Sequence, residues 1–79
     1  MTPRRESKRI GPKVRAIRDH LGLSQSQMMR LLGIKCCYTR ISEYERGKRR
    51  PIIMVLLAYA RAAQIPLEQI VDDELELTF

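Results

Sequence analysis

The 79-residue sequence contains no tryptophan, only four aromatic residues and only two cysteines. A chain with few rings and ordinary aliphatic content is typical of a helical bundle filled by leucine, isoleucine, valine and methionine. Cys36 and Cys37 are adjacent, so they lack the spacing of a zinc site or a disulfide framework. His20 is the only histidine. We therefore expect no metal and no cofactor, and we interpret the two cysteines as small turn residues.

The sequence also lacks a long apolar segment. The longest apolar run, Ile52 to Ala60, has nine residues, whereas a membrane-spanning helix needs about 20. The N-terminus is charged and no apolar run follows it, which excludes a signal peptide. We therefore expect no membrane partner and a cytoplasmic location, in which cysteines stay reduced.

Residue sets that support catalysis are missing as well. We find no nucleophile with a nearby base, no phosphate-binding glycine loop and no paired carboxylates on one helix face. Four of the nine acids lie instead in the last eight residues, at positions 72, 73, 74 and 76. The sequence predicts that the chain is not an enzyme.

The net charge of +6 is unevenly distributed. Seven of the fifteen lysines and arginines lie within the first 18 residues, and the acids cluster at the other end. A basic body with an acidic end is typical of a protein with a polyanionic partner, most often nucleic acid. A solvated basic surface would have the same composition, so charge alone leaves both interpretations open.

Apolar spacing predicts five helices. In the first helix, Pro12 occupies the first turn, residues 14, 17 and 21 form one stripe, and Gly22 ends the helix. Ser24 and Gln27 have the spacing of a capping box, which predicts the start of a second helix. The apolar side of this helix consists of residues 28, 31 and 32, and Gly33 ends it.

The remaining helices follow from similar signals. A third helix should start near Tyr38, bury residues 41 and 44, and end at Gly47. A fourth should run from about Ile52 to Gln64, with residues 53, 56, 57 and 60 facing the core. Pro66 then separates a short fifth helix over about residues 67–71, in which residue 70 faces inward.

Both ends of the chain are predicted to differ from this domain, which spans residues 10–72. Residues 1–9 (MTPRRESKR) are polar and basic, and we expect a flexible arm. Residues 73–79 form an acidic and apolar tail whose alternation from residue 74 to 79 indicates an extended strand. Such a strand could add to a partner's edge, lie in a groove or stay loose; a loose tail is favoured because chain ends are usually mobile.

Three segments in order, LGLSQSQMMRLLGI, ISEYERGKRRP and LLAYARAAQIPLEQIV, resemble the Cro/phage-repressor (XRE-like) helix-turn-helix family over about residues 10–71. The resemblance implies an all-α, five-helix, lambda-repressor-like domain that binds double-stranded DNA and regulates transcription as a repressor. Two features depart from the family pattern. Ile41 and Gly47 fall two residues late, which places extra length within residues 35–38, and Met29 replaces a residue that is usually small.

The resemblance also implies which residues contact DNA, because the third helix would enter the major groove with its first turns toward the bases. The expected base contacts are Tyr38, Thr39, Ser42 and Glu43. The expected phosphate contacts are Gln25, Lys35, Arg40, Arg46, Lys48, Arg49 and Arg50. Tyr38 could equally be a half-buried ring that closes the turn, and Arg40 a free surface charge. The arm bases Arg4, Arg5, Lys8 and Arg9 could reach the DNA or make no contact.

Two further expectations concern contacts between protein groups. In similar domains, residues in the positions of Arg18 and Glu45 form a buried ion pair between the first and third helices. Domains of this type mostly act as homodimers on two-fold sites. The apolar residues that could form a dimer surface are Ile52, Met54, Val55, Leu75, Leu77 and Phe79. A small core that uses both sides of the fourth helix would explain the first three equally well.

A different class of function also fits the sequence. The chain could be an antitoxin-like interaction module, in which the C-terminal tail binds a partner protein while the body binds DNA. Tail truncation distinguishes the two interpretations, since a regulator would keep its DNA binding whereas an antitoxin would lose its partner.

Overall fold

In the computed structural model, residues 9–34 and 39–79 are described, and these residues form five helices and no strand. The helices are α1 (Ile10–Leu21), α2 (Gln25–Leu32), α3 (Thr39–Glu45), α4 (Ile53–Ala63) and α5 (Glu68–Val71). The predicted all-α fold with five helices is therefore confirmed. None of the described helices has the length and apolar character that a bilayer crossing requires.

Local sequence signals set the bounds of the first two helices. The Ser24 hydroxyl accepts a hydrogen bond from the Gln27 amide at 3.1 Å, and the Gln27 side chain accepts one from the Ser24 amide at 2.8 Å, which completes the predicted capping box. Gly22 and Gly33 end the helices with φ angles of 70° and 74°. Only glycine adopts this left-handed conformation without a Cβ penalty, so both helices end where the sequence predicts.

The core is built around α1, which packs against α3, α4 and α5, while α2 packs against α3 and α4. The side chains of Val14, Ile17, Met28, Ile41 and Ile70 are completely buried. Burying an aliphatic side chain of this size contributes about 1.5–3 kcal/mol, so this apolar cluster holds the helices together.

Two apolar residues that the sequence assigns to the core are instead exposed. Ile53 in the first turn of α4 is 58% exposed, because the inward face of α4 is centred on Leu56, Tyr59 and Ala60. Tyr59, which the apolar pattern did not assign, is completely buried. Leu31 is 56% exposed, since α2 turns its Met28 side toward the core.

The N-terminal end of α1 crosses α3 at Gly11. A Cβ atom at this position would lie 2.8 Å from the carbonyl oxygen of Glu45 and 3.0 Å from that of Tyr44. Both atoms belong to the backbone and cannot move aside independently. The absence of a side chain therefore allows the two helices to approach this closely.

The C-terminal segment is not loose, contrary to the favoured expectation, because it lies along α1. The ammonium group of the buried Lys13 donates to the carbonyl oxygens of Gln69, Asp72 and Leu75 at 2.6, 2.7 and 2.8 Å. These bonds tie α1 to the turn after α5, and burial lowers the pKa of Lys13. The tail is thus held against α1 by these contacts.

Arg9, the last residue of the predicted arm, contacts the C-terminal tail. Arg9 is the N-cap residue of α1, and its amide donates to the Asp73 carboxylate at 3.1 Å. Its guanidinium pairs with Glu76 at 2.7 Å, which raises the pKa of Arg9 and lowers that of Glu76. Residues 1–8, with the arm bases Arg4, Arg5 and Lys8, lie outside the described residues.

Candidate nucleic-acid interface

The helices α2 and α3 follow each other closely and pack together. The left-handed glycine at position 33 turns the chain away from the axis of α2. Within α3, Ile41 is completely buried and Tyr44 is 5% exposed. Because these two residues face the core, the opposite side of α3 must face away from it.

That outer side carries three of the predicted base contacts. Thr39 is exposed, and Ser42 and Glu43 are partly exposed. Residues three and four apart share one face of a helix, so these three side chains form a single surface. Tyr38, the fourth predicted base contact, lies outside the described residues, as do Lys35, Cys36, Cys37 and the two-residue insertion.

The basic loop after α3, residues 46–50, lies beside this surface. The amides of Lys48 and Arg49 donate to the Glu43 carbonyl oxygen at 2.9 and 3.3 Å, and the amide of Arg46 donates to that of Ser42 at 3.0 Å. Four predicted phosphate contacts, Arg46, Lys48, Arg49 and Arg50, are thus brought together, and all four are exposed. The fold places a cationic loop next to the outer side of α3.

Glu43 forms ion pairs within this region. Its Oε1 atom lies 3.3 Å from Nε of Arg49 and 3.9 Å from Nε of Arg40. The Arg49 side chain is 49% exposed and the Arg40 side chain 32% exposed. The outer side of α3 therefore presents a carboxylate together with two guanidinium groups.

Gln25, predicted to contact a phosphate, is the first residue of α2. The Nε2 atom of its side chain donates to Oε1 of Glu45 at 3.3 Å. A side-chain amide has two N–H groups, so this bond leaves a second donor on Gln25. The phosphate contact by Gln25 stays a prediction.

The structural ion pair expected between α1 and α3 is present. Nε of Arg18 lies 2.6 Å from Oε2 of Glu45, and the Nη2 atom donates to Oε1 at 3.0 Å. The side chains are only 14% and 5% exposed, and Arg18 also donates to the Leu23 carbonyl oxygen at 2.9 Å. The hydrogen bonds to Glu45 raise the pKa of Arg18. This pair fixes the end of α3 against α1 and thereby orients the outer side of α3.

The residues of the predicted dimer surface separate into two groups. Ile52 and Met54 are 66% and 64% exposed at the start of α4. Val55 and Leu77 instead pack against the monomer's own core, and the ring of Phe79 stacks on His20 with a centroid separation of 4.0 Å. Leu75 is 38% exposed. The apolar character of Val55 and Leu77 is therefore explained by packing within one chain. For Val55 this is the alternative in which the core uses both sides of the fourth helix.

Within residues 9–34 and 39–79, no three histidine, cysteine, aspartate or glutamate side chains come together as a metal site would require. Burial raises the pKa of the Tyr59 hydroxyl. That group lies in the core, away from solvent.

A comparison with protein families identifies the packed pair of helices α2 and α3. The model of the helix-turn-helix family matches residues 14–70, which include both helices and most of the core. The chain belongs to the helix-turn-helix family. The family and fold that the three sequence segments predicted are therefore confirmed.

Solved structures agree with this family assignment. The chain is 26% identical to the P22 c2 repressor solved in complex with a synthetic operator, with a TM-score of 0.71 over 81% of this chain and 94% of that one. A solution structure of the DNA-binding domain of the same repressor gives 25% identity and a TM-score of 0.73, covering 95% and 96%.

A third similar structure is that of the restriction-modification controller protein C.AhdI from Aeromonas hydrophila. It is 27% identical, with a TM-score of 0.67 over 78% of this chain and 91% of that chain. These three structures are of a repressor and a controller protein, and neither name describes an enzyme. The comparison with curated proteins found no match.

The sequence analysis did not predict the role of Lys13, which ties α1 of this helix-turn-helix domain to the C-terminal segment. Lys13 is 3% exposed although it is charged, and it shares the buried face of α1 with Ile10, Val14 and Ile17. Its spacing of three and four from these residues was a usable signal, because a lysine within an apolar stripe must find buried acceptors. The acceptors themselves lie 56 to 62 residues away.

Proposed function

We propose that this chain binds double-stranded DNA in a sequence-specific manner through α3 and acts as a transcriptional repressor. The observation that carries the proposal is the outer side of α3, where Thr39, Ser42 and Glu43 lie together beside the cationic loop 46–50. Family membership and the likeness to a repressor solved with its operator support the same function.

The chemistry of this surface suits a duplex. Hydroxyl and carboxylate groups can hydrogen bond to base edges in the major groove, where each base pair has its own pattern of donors and acceptors. Arginine and lysine on the flank can contact phosphates, which position the protein without reading sequence. We expect Arg46, Lys48, Arg49 and Arg50 to have this second role, with Arg40 and Gln25 at the edge of the interface.

Selection from randomised duplexes, followed by sequencing, would test sequence-specific binding. We expect one motif to be enriched, and we expect Lys48→Ala to reduce the logarithmic salt slope of its binding by about one unit. Arg61→Ala is the matched control, because Arg61 is exposed on α4 and not in the loop beside α3. A selection that enriches no motif would reject the proposal.

The sign of regulation needs a separate measurement. Transcription in vitro from a promoter that contains the selected motif should fall when the protein is added, because a bound repressor obstructs the polymerase. The same promoter with a scrambled motif is the control. Increased transcription would keep the DNA-binding proposal but reject the repressor.

We further propose that the chain acts as a homodimer through the first turn of α4. Ile52, Ile53 and Met54 are consecutive and each is more than half exposed, which forms an apolar patch of the kind found at subunit contacts. The patch directly follows the cationic loop and Pro51. Two copies that share it would hold their α3 helices close to each other, as a two-fold DNA site requires.

Sedimentation at tens of micromolar tests this arrangement. We expect a species of twice the 9.2 kDa chain mass, and we expect Met54→Lys to convert it to the monomer. Glu68→Lys is the control, since Glu68 is exposed on α5 and lies outside the predicted dimer surface. A wild-type chain that sediments only as the monomer would contradict the dimer.

The alternative of an antitoxin-like module is not favoured. The tail residues that would bind a partner protein are used within the monomer, where Leu77 packs against the core and Phe79 stacks on His20. A DNA-binding role agrees with the cytoplasmic location expected from the sequence, which stays a prediction.

A further inference from the structure

The ion pairs of Glu43 raise a question about how a carboxylate can approach DNA. Phosphates repel an isolated carboxylate, so an unpaired glutamate on the outer side of α3 would weaken binding. Here Oε1 of Glu43 lies 3.3 Å from Arg49 and 3.9 Å from Arg40. The three side chains together carry a net charge of +1, and such a group can approach a polyanion without that penalty.

The backbone fixes one of these arginines relative to Glu43. The amide of Arg49 itself, and that of Lys48 before it, donate to the Glu43 carbonyl oxygen. The loop therefore folds back onto the residue whose carboxylate it pairs. The second arginine, Arg40, lies three positions earlier on α3, so helix geometry holds it on the same face.

Pairing does not use up the carboxylate. Both arginine contacts end on the same oxygen, Oε1, while an ionised carboxylate offers two oxygens and about four acceptor sites. Glu43 can therefore accept a further hydrogen bond. In the major groove the available donors are amino groups, N4 of cytosine and N6 of adenine.

We propose that Arg40 and Arg49 neutralise Glu43 and hold its carboxylate where it reads a base with an amino group, so that Arg49 is a positioning residue for sequence discrimination. This inference rests on the proposed function, because it requires α3 to enter the major groove. It differs from a simple phosphate contact in one measurable respect. A phosphate contact strengthens binding to every sequence, whereas a positioning residue changes the preference for one base pair.

The experiment measures discrimination and not affinity alone. The full-length chain is bound to its selected duplex and to variants with single base-pair replacements. The base pair whose preference disappears in Glu43→Ala is the one that Glu43 reads, and the wild-type chain should prefer its amino-bearing base by on the order of tenfold. Circular dichroism of each variant confirms that it is folded.

Arg49→Ala should then lose affinity for all duplexes and also most of the tenfold preference at that base pair. Lys48→Ala is the matched control, because Lys48 belongs to the same loop, and no ion pair joins it to Glu43 within residues 9–34 and 39–79. It should weaken binding to all duplexes by the same factor and leave the preference intact.

A second comparison removes the carboxylate's charge. In the Glu43→Gln background there is no negative charge to neutralise, so adding Arg49→Ala should lower affinity uniformly without a further change in preference. The coupling between the two positions is then visible as a non-additive effect on discrimination at one base pair.

The results that would overturn the inference are distinct from failure of the proposed function. If Arg49→Ala and Lys48→Ala both cause only a uniform loss, Arg49 is a phosphate contact and does not position Glu43. If Glu43→Ala changes no preference, Glu43 reads no base, although DNA binding stands. If the wild-type chain selects no duplex, the proposed function itself is wrong and this inference is wrong with it.

Discussion

The Arg18–Glu45 pair offers the sharpest test of how this small domain is held together. The guanidinium makes two contacts to the carboxylate, at 2.6 and 3.0 Å, and the side chains are 14% and 5% exposed. Replacing Glu45 by alanine would leave the Arg18 charge largely buried without its partner. The change would also remove the acceptor for Gln25, which lies 3.3 Å from Glu45.

The expected loss follows from this geometry. Breaking a buried pair by removing one partner costs about 3–5 kcal/mol, because a buried charge remains uncompensated. The retained hydrogen bond from Arg18 to the Leu23 carbonyl oxygen, at 2.9 Å, offsets little of that charge. A domain of this size has a total free energy of unfolding of about 4–12 kcal/mol. Glu45→Ala should therefore remove a large share of the stability and lower Tm by more than about 12 °C.

Urea denaturation followed by circular dichroism measures the loss, provided that the m-value stays constant. Asp19→Ala is the matched control, because Asp19 pairs with Arg15 at 3.9 Å while both side chains are more than 60% exposed. This surface pair should contribute no more than about 0.5 kcal/mol. The double variant Arg18→Leu/Glu45→Leu should recover part of the loss, since apolar groups replace both charges.

Equal losses for Glu45→Ala and Asp19→Ala would refute the reasoning. They would mean that water reaches the Arg18 guanidinium and screens its charge. A large loss in Glu45→Ala that the double variant does not reduce would show instead that packing, and not the buried charge, determines the cost.

Three other changes test separate features. Gly11→Ala should lower the free energy of unfolding in urea by about 1–3 kcal/mol. Alanine usually stabilises a helix relative to glycine, but here its Cβ would lie 2.8 Å from the Glu45 carbonyl oxygen. An unchanged free energy of unfolding would contradict this close approach. Tyr59→Phe should leave the thermal melting temperature unchanged or raise it. The buried Tyr59 hydroxyl has no hydrogen-bond partner among the described residues, and its desolvation costs about 1–3 kcal/mol. A clear decrease in the melting temperature would indicate a bound water. Glu76→Gln should reduce stability at pH 7, because the hydrogen bond with Arg9 lowers the folded-state pKa of Glu76 below its usual 4.5. This contribution to stability is present above pH 4.5 and disappears as the pH falls through the folded-state pKa. A stability difference between the two chains that persists at about pH 2 would contradict this explanation.

The sequence alone determined the features that depend on near neighbours. The capping box of Ser24 and Gln27, and the left-handed glycines at 22 and 33, act within four or five residues, so the pattern of residues predicts where the helices begin and end. The resemblance to the family predicted the helix-turn-helix and the Arg18–Glu45 ion pair. The placement of Thr39, Ser42 and Glu43 on one side of α3 followed from helix periodicity once Ile41 and Tyr44 were assigned to the core.

Only the tertiary structure decided the contacts between distant parts of the chain. The apolar stripe of α1 marks Lys13 as buried, but no local signal identifies its acceptors, because they lie more than 50 residues away. The same holds for the tail, whose alternation fits a loose strand as well as one held by Arg9 and Lys13. The exposed Ile53 and the buried Tyr59 depend on which side of α4 meets α1 and α2. Helix periodicity gives the width of an apolar face, but packing against the other helices selects its direction.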